Sequence, residues 1–430
     1  MNRKVINKLF KRVLTICLLF IFCSTTAAQK KNKSKRAKAE IVEGKLINYK
    51  ALNESSGTTL NLSGTELNDL ANLRKIKTKS ELDISDTLVK DFTELKYFTN
   101  YLSMNLANTG IQNLEPFFKL RNLQTLDLSG TKISKIDELK NLNKLSELNL
   151  DNTGIRDISV LDKLDRLKIV SLNKTKIDRI SSLKNCRTIN EIYLNKTGVF
   201  DISALGNLNK LLILDISETP LIKIDSLNTA LQLRELNISK TFVNDIKHLR
   251  NLRRLSILNA SGTLVHDLSP LITSVAMQEL YLKGTPIKKV DALRKMVYLK
   301  TLDLSSSLVD DTAPLANLKS LQELNLMEIK LESLEHLRKL TSLKTLNLAG
   351  TKIKRLDYLS NLKSLETLDI SSTEIIDLKP LEKLKNLKVV YLVNSKFTEE
   401  QLDELKSKKA GYKIRTEYPE PIEADSESAK

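Results

Sequence analysis

Apolar residues along this chain recur with a period of 22, and the positions between them stay polar from one copy to the next. A Thr column marks the period at 65, 87, 109, 131, 153, 175, 197, 219, 241, 263, 285, 351 and 373, with Ser307, Ile329 and Ser395 in the remaining places. These sixteen landmarks follow one another without insertion or deletion, which identifies a repeat solenoid before any local propensity is consulted. Counted from the landmark as zero, apolar residues stand at −5, −3, +2, +5, +8, +11 and +14. The spacing of two, as in Leu126-Asp127-Leu128 and Leu346-Asn347-Leu348, predicts a short strand with one face inward. One strand per repeat predicts a parallel sheet. The spacing of three, as in Leu139, Leu142 and Leu145, predicts one or two turns of 3₁₀ or α-helix on the opposite side.

Polar positions sharpen the unit. Position +6 is Thr93, Asp137, Ser159, Ser181, Ser203, Asp225, Ser269, Asp291 or Asp357 in nine of fifteen repeats, which predicts helix N-caps there. Pro116, Pro270, Pro314 and Pro380 follow at +7, where a first helical residue needs no donor. Gly64, Gly130, Gly262, Gly284 and Gly350, together with Gly110, Gly154 and Gly198, flank the landmark and mark a tight turn. The Thr hydroxyl is expected to bond the turn backbone, so that stacked repeats form a hydroxyl ladder. Segments such as Thr153-Gly154-Ile155-Arg156-Asp157-Ile158-Ser159-Val160-Leu161 and Thr263-Leu264-Val265-His266-Asp267-Leu268-Ser269-Pro270-Leu271 carry an I-x-D-I-x-P-L signature. On these residues the chain resembles the leucine-rich repeat family, in detail the bacterial internalin-type 22-residue class, over about residues 59 to 402. The fold class expected is α/β, a leucine-rich repeat solenoid of about 16 repeats. The resemblance implies a curved horseshoe with its parallel β-sheet on the concave face and short 3₁₀ or α-helical turns on the convex face.

Around the repeats, residues 59–395, stand five other segments. Residues 1–28 carry Arg3, Lys4, Lys8, Lys11 and Arg12, the apolar run Val13 to Cys23, then Ser24-Thr25-Thr26-Ala27-Ala28, the order of a secretory signal peptide cleaved beside Ala28. An apolar run of about 11 residues falls short of the roughly 20 that span a bilayer, so no transmembrane segment is expected once the signal is removed. Residues 29–39, with six basic side chains, and 419–430, rich in Pro, Glu and Ser, are expected to be disordered. Residues 40–58 read as an N-terminal cap. In 396–418, Thr398-Glu399-Glu400-Gln401 fits a capping box, Leu402 and Leu405 continue a helix, Gly411 suits its stop and Lys413 to Thr416 add a strand. Together these make a C-terminal cap over the last hydrophobic layer. Cys17 and Cys23 leave with the signal, and Cys186, at an apolar repeat position, reads as a small buried hydrophobe.

Charge changes the picture only when it is placed on the repeat. The 430 residues hold 69 Lys+Arg against 52 Asp+Glu, a formal +17 that by itself points to nucleic acid or a membrane surface. The outward strand positions −6, −4 and −2, which in leucine-rich repeats line the concave face, tell otherwise. They carry Glu81, Asp83, Asp127, Glu147, Asp151, Glu191, Asp215, Glu235, Glu279, Asp303, Glu323 and Asp369 against Lys283 alone. The outer positions +9, +10, +12 and +13 reverse this, with 24 Lys or Arg against Asp162, Asp165 and Glu382. Bases late in a short helix favour its C-terminal end and keep a Leu-rich solenoid soluble, and the same single-sign field recruits polyanions.

Tyr193, Tyr281 and Tyr391 share position −4 and are expected to project from the concave sheet, where aromatic anchors carry binding energy. Met327, Val389 and Val393 are apolar candidates on the same face, with Val389, Tyr391 and Val393 assigned to packing against the terminal cap. The expected partner-binding set is Tyr193, Tyr281, Glu191, Asp215, Glu235, Glu279, Asp303, Glu323 and Met327. No G-x-S-x-G, Walker loop, H-E-x-x-H or calcium loop occurs, and the carboxylates occupy regular repeat positions, so no catalytic residue, cofactor or metal is expected. His248 and His336 lie four repeats apart, about 19 Å at the strand spacing, too far to share a metal. The expected function is an exported, non-catalytic, monomeric scaffold, periplasmic, surface-bound or secreted, whose acidic concave face holds a basic protein or peptide. Nucleic acid is not an expected partner. The alternative is a cell-envelope or polyanion-binding surface protein using the convex face and Lys30, Lys31, Lys33, Lys35, Arg36 and Lys38.

Overall fold

Two inward side chains per crossing need only a very short strand, and each repeat forms one of three residues before the chain turns away. The structure is a computed structural model describing residues 40–47, 49–408 and 413–418. The expectations for the signal segment 1–28, the basic segment 29–39, Gly411 and the tail 419–430 lie outside these residues. An antiparallel hairpin, β1 (Glu40–Val42) and β2 (Lys45–Ile47), leads into α1 (Lys50–Glu54). Strands then begin at every 22nd residue from β3 (Thr59–Asn61) and β4 (Glu81–Asp83) to β18 (Val389–Tyr391), and β19 (Lys413–Arg415) follows. Pairing is parallel between sequence neighbours, with equivalent residues side by side, as for Glu147 with Ile169 and Asn149 with Ser171. β3 pairs with β4 and β19 with β18, so the 17 strands form one ribbon with two ends. Fifteen 3₁₀ turns, mostly five residues long, form the opposite side, which makes 3₁₀ rather than α the outcome of the spacing of three.

The apolar columns fill the space between ribbon and turns. In one repeat Leu126, Leu128, Ile133, Ile136, Leu139, Leu142 and Leu145 are all at most 2% exposed. At about 1.5–3 kcal/mol for each buried aliphatic side chain, the layer between neighbouring repeats holds the solenoid together, since no repeat encloses a core alone. Cys186 sits in this layer at 2% exposure with its Sγ 3.2 Å from the Leu161 carbonyl, and burial pushes the thiol up to about 11.

The Thr hydroxyls bond the turn backbone as expected, each of the thirteen donating to the carbonyl three residues back, as Thr87 to Ile84 at 2.7 Å and Thr263 to Ala260 at 2.6 Å, but the bonds stay within each turn and do not link one repeat to the next. A hydroxyl on a one-carbon stem reaches that carbonyl sooner than anything in the next repeat. The bond closes a turn in which residue −1 is left-handed in all sixteen repeats, with φ between +53° and +68°. Gly64 accepts this without strain, whereas Lys174 and Glu218 hold it as non-glycine residues. The N-caps do not stand at +6. In ten repeats the side chain at +4 accepts the +6 backbone N–H, as Asp91 does from Thr93 at 2.9 Å and Asp267 from Ser269 at 2.8 Å, whereas +4 is Lys135, Arg179, Lys223, Lys289 or Arg355 in the other five. A carboxylate two residues ahead matches the tighter 3₁₀ entry, and it gives the Asp of the I-x-D-I signature its structural task.

Lys79 occupies a +14 position that is otherwise apolar, at 2% exposure, and its Nζ donates to Ser55 O, Ser55 Oγ and Gly57 O at 2.8–3.0 Å. It ties the segment after α1 to the first repeats. At the other end α2 (Glu399–Lys408) opens on reciprocal bonds between Thr398 and Gln401, with Leu402 and Leu405 buried. Tyr418 then stacks on Tyr391 at 5.7 Å and donates to Asp369 Oδ2 at 3.1 Å.

Candidate functional site

The outward side of the ribbon, the sheet face, is built in three columns. Its floor is position −4, where Asn or Asp accepts the N–H of the residue two further on through Oδ1 in twelve repeats, the strand's last residue thereby closing the turn it enters. Where Ser171 or Tyr193 interrupts the column, Asp151 or Asn173 of the preceding repeat receives the amide instead, at 2.8 and 2.7 Å. Amides also cross between strands, from Asn149 Nδ2 to Asp127 Oδ2 and from Asn237 Nδ2 to Asp215 Oδ2, both 3.0 Å. Asp127 and Asp303 are only 7% and 3% exposed. Burial raises the carboxyls of Asp127, Asp215 and Asp303 above their ordinary range, against the bonds they accept from Ser129, Ser217 and Ser305.

Asp215 and Asp303 of the expected partner set therefore belong to the floor. Tyr193 and Tyr281 join them there. The rings stand on the sheet face, yet they are 4% and 6% exposed and lie within it, each hydroxyl donating to the glutamate two residues back, Glu191 at 2.8 Å and Glu279 at 2.9 Å. Burial, with that carboxylate beside it, drives each phenol upward, so it stays a donor. On the flanking strands Ser171 and Asp215 stand in register with Tyr193, and Asn259 and Asp303 with Tyr281.

The side wall is position −6, and here charge meets the solvent. Across nine consecutive strands it reads Glu147, Ile169, Glu191, Ile213, Glu235, Ile257, Glu279, Thr301 and Glu323 in strict cross-strand register. All are half-buried except Ile257, which is buried. Carboxylates thus recur every second strand, about 9.6 Å apart, with a short apolar or hydroxyl side chain between them. Burial raises Glu147, and Glu191 raises it further. Met327, half-buried at −2, completes the expected set on the opposite wall. The isoleucines were visible in the same column as the glutamates but carry no charge or ring to draw notice.

Elsewhere His248 Nε2 lies 3.0 Å from Asp225 Oδ1. Among the described residues no group of three His, Cys, Asp or Glu comes together as metal ligands, and no helix is long and apolar enough to cross a membrane.

A family model described as Leucine Rich repeats (2 copies) matches residues 99–141 and 363–407. Among curated proteins no sequence matches the chain. Solved structures similar to it include an internalin from Listeria monocytogenes, with TM-score 0.67 and 24% identity over 71% of this chain and 89% of that one. A leucine-rich repeat protein of Leptospira interrogans has TM-score 0.78 and 21% identity over 85% of this chain and 98% of that one. A plant peptide hormone receptor in complex with RGF2 has TM-score 0.63 and 18% identity over 78% of this chain and 62% of that one.

Proposed function

We propose that this leucine-rich repeat solenoid, which resembles the internalins in fold, is an exported, non-catalytic scaffold that holds a basic protein or peptide on its sheet face. The observation that carries the reading is the −6 column, where five glutamates from Glu147 to Glu323 alternate with aliphatic or hydroxyl residues over nine strands. A cationic partner lying across the strands meets a carboxylate every second repeat and apolar surface between. Glu191, Glu235, Glu279, Glu323 and Met327 make the contacts, Tyr193 and Tyr281 position two of the carboxylates, and Asp215 and Asp303 hold the floor. The plant receptor, solved with RGF2, shares the fold and supports a ligand-holding role. Export rests on the signal-like segment 1–28.

The test is recovery of the partner by crosslinking in the native envelope, followed by titration. Glu235→Gln, Glu279→Gln and Glu323→Gln together lower its affinity at least tenfold and flatten its salt dependence, with thermal stability unchanged. Unaltered affinity would sink the reading. An envelope polyanion on the turn face is the second reading, favoured by exposed Arg250, Arg253 and Arg254 in one repeat and Arg294 and Lys295 two repeats further on. Heparin binding that vanishes with salt, in a chain retaining no protein partner, would move the assignment there.

A further inference from the structure

Between the sheet face and the turn face runs an edge made by positions −1, +1, +3 and +4. In the repeats from Thr197 to Ser307 its +1 column, joined by +3 in the first two repeats, forms an apolar stripe, with charged side chains at −1 on one side and at +3 and +4 on the other. Phe200, Ile222, Phe242, Leu264 and Leu308 are 59%, 56%, 59%, 53% and 54% exposed, and Pro220 and Pro286 stand exposed among them. In the flanking repeats the same +1 column carries Lys176 and Lys330. Each of the five large side chains leaves on the order of 100 Å² in water, so the patch offers about 500 Å² of apolar surface, the upper end of what a lone soluble protein shows.

The charges around the patch are balanced and engage one another. Lys196, Lys223, Lys240, Lys288 and Lys289 face Asp201, Glu218, Asp245, Asp267, Asp310 and Asp311 over these repeats. Glu218 lies between Lys196 at 3.7 Å and Lys240 at 3.5 Å, and Lys288 is 3.3 Å from Asp310. A strongly acidic partner is drawn to the turn face and a strongly basic one to the sheet face. What this edge suits is an equally apolar, charge-balanced surface, and its own copy supplies one by construction.

We propose that this edge is a self-association surface and that two copies of the chain pair through it. A two-fold contact sets the same patch against itself, so Phe200, Phe242 and Leu264 of each copy bury those of the other. About 500 Å² of apolar centre with its paired-charge surround comes to roughly the 800 Å² per partner of a standard interface. Pairing at the edge leaves both faces open, so the dimer presents two acidic sheet faces.

Sedimentation equilibrium of the full chain between about 1 and 100 µM tests this. The expected mass is twice that of the chain, and Phe242→Asp with Leu264→Asp weakens the dimer at least 100-fold while circular dichroism and melting temperature stay as in the parent. Leu88→Asp, 60% exposed in the same +1 column but outside the patch, leaves the dimer intact. A monomer at 100 µM, a dimer indifferent to the double substitution, or equal disruption by Leu88→Asp would each overturn the proposal. Binding of a monomer to phospholipid vesicles through Phe242 and Leu264 would also overturn it, giving the edge to a membrane instead.

Discussion

Asp127 shows what the acids of the sheet face cost and why they are kept. Its Oδ1 accepts the Ser129 N–H at 2.8 Å and its Oδ2 the Asn149 amide at 3.0 Å, yet burial raises its pKa. A folded pKa above the unfolded value means that the ionised form opposes folding at neutral pH. The opposition lifts as pH falls through the raised folded value towards the ordinary 3.8. Asn satisfies the same Ser N–H without charge, as Asn237 does from Ser239, and adjacent Asn pairs already occur at 237 and 259 and at 325 and 347. Asp127→Asn is therefore expected to melt at or above the parent temperature at pH 7, with the difference shrinking as pH approaches 4. A difference constant across that range would mean that the carboxyl is not the titrating group.

At the scale of the element, the 22-residue period exposed the strands, the turns and the apolar layer, because burial repeats with geometry and geometry repeats with sequence. Polar pairing does not follow that rule. Whether Thr87 bonds its own turn, whether Asp91 or Thr93 caps the 3₁₀ entry, and whether Tyr193 stands free or bonds Glu191 are decided by ångströms of reach between groups whose column positions look alike. Lys79 is the sharpest case, a charge in an apolar column that becomes sensible only when Ser55 and Gly57 are seen beside it. Lys79→Ala removes an ammonium that satisfies three oxygens and is expected to cost about 2–4 kcal/mol in the first repeats. Hydrogen exchange checks it: amides of 49–62 should lose protection while those beyond about residue 150 keep theirs. Full protection in Lys79→Met would show that the aliphatic stem, and not its hydrogen bonds, holds the segment around Ser55 and Gly57.

Over the whole molecule the order of repeats matters as much as their number. Glutamates at −6 occupy alternate strands from Glu147 to Glu323, so none has another beside it. Deleting residues 198–219 removes one whole repeat without disturbing the apolar columns, but it sets Glu191 directly against Glu235. Deleting 198–241 removes two repeats and sets Glu191 against Ile257, restoring the alternation. A like-charge cross-strand pair costs up to about 1 kcal/mol. The shorter chain is thus expected to be the more stable per repeat at pH 7, against the ordinary rule that solenoids weaken as repeats are lost. Two facing carboxylates raise each other's pKa, so the penalty exists while both are ionised and fades on acidification through their folded values. Melting both deletion chains at pH 7 and pH 4 decides it: a single-repeat deletion that is no weaker at pH 7 than at pH 4, relative to the double one, would show that alternation along the sheet face carries no electrostatic meaning.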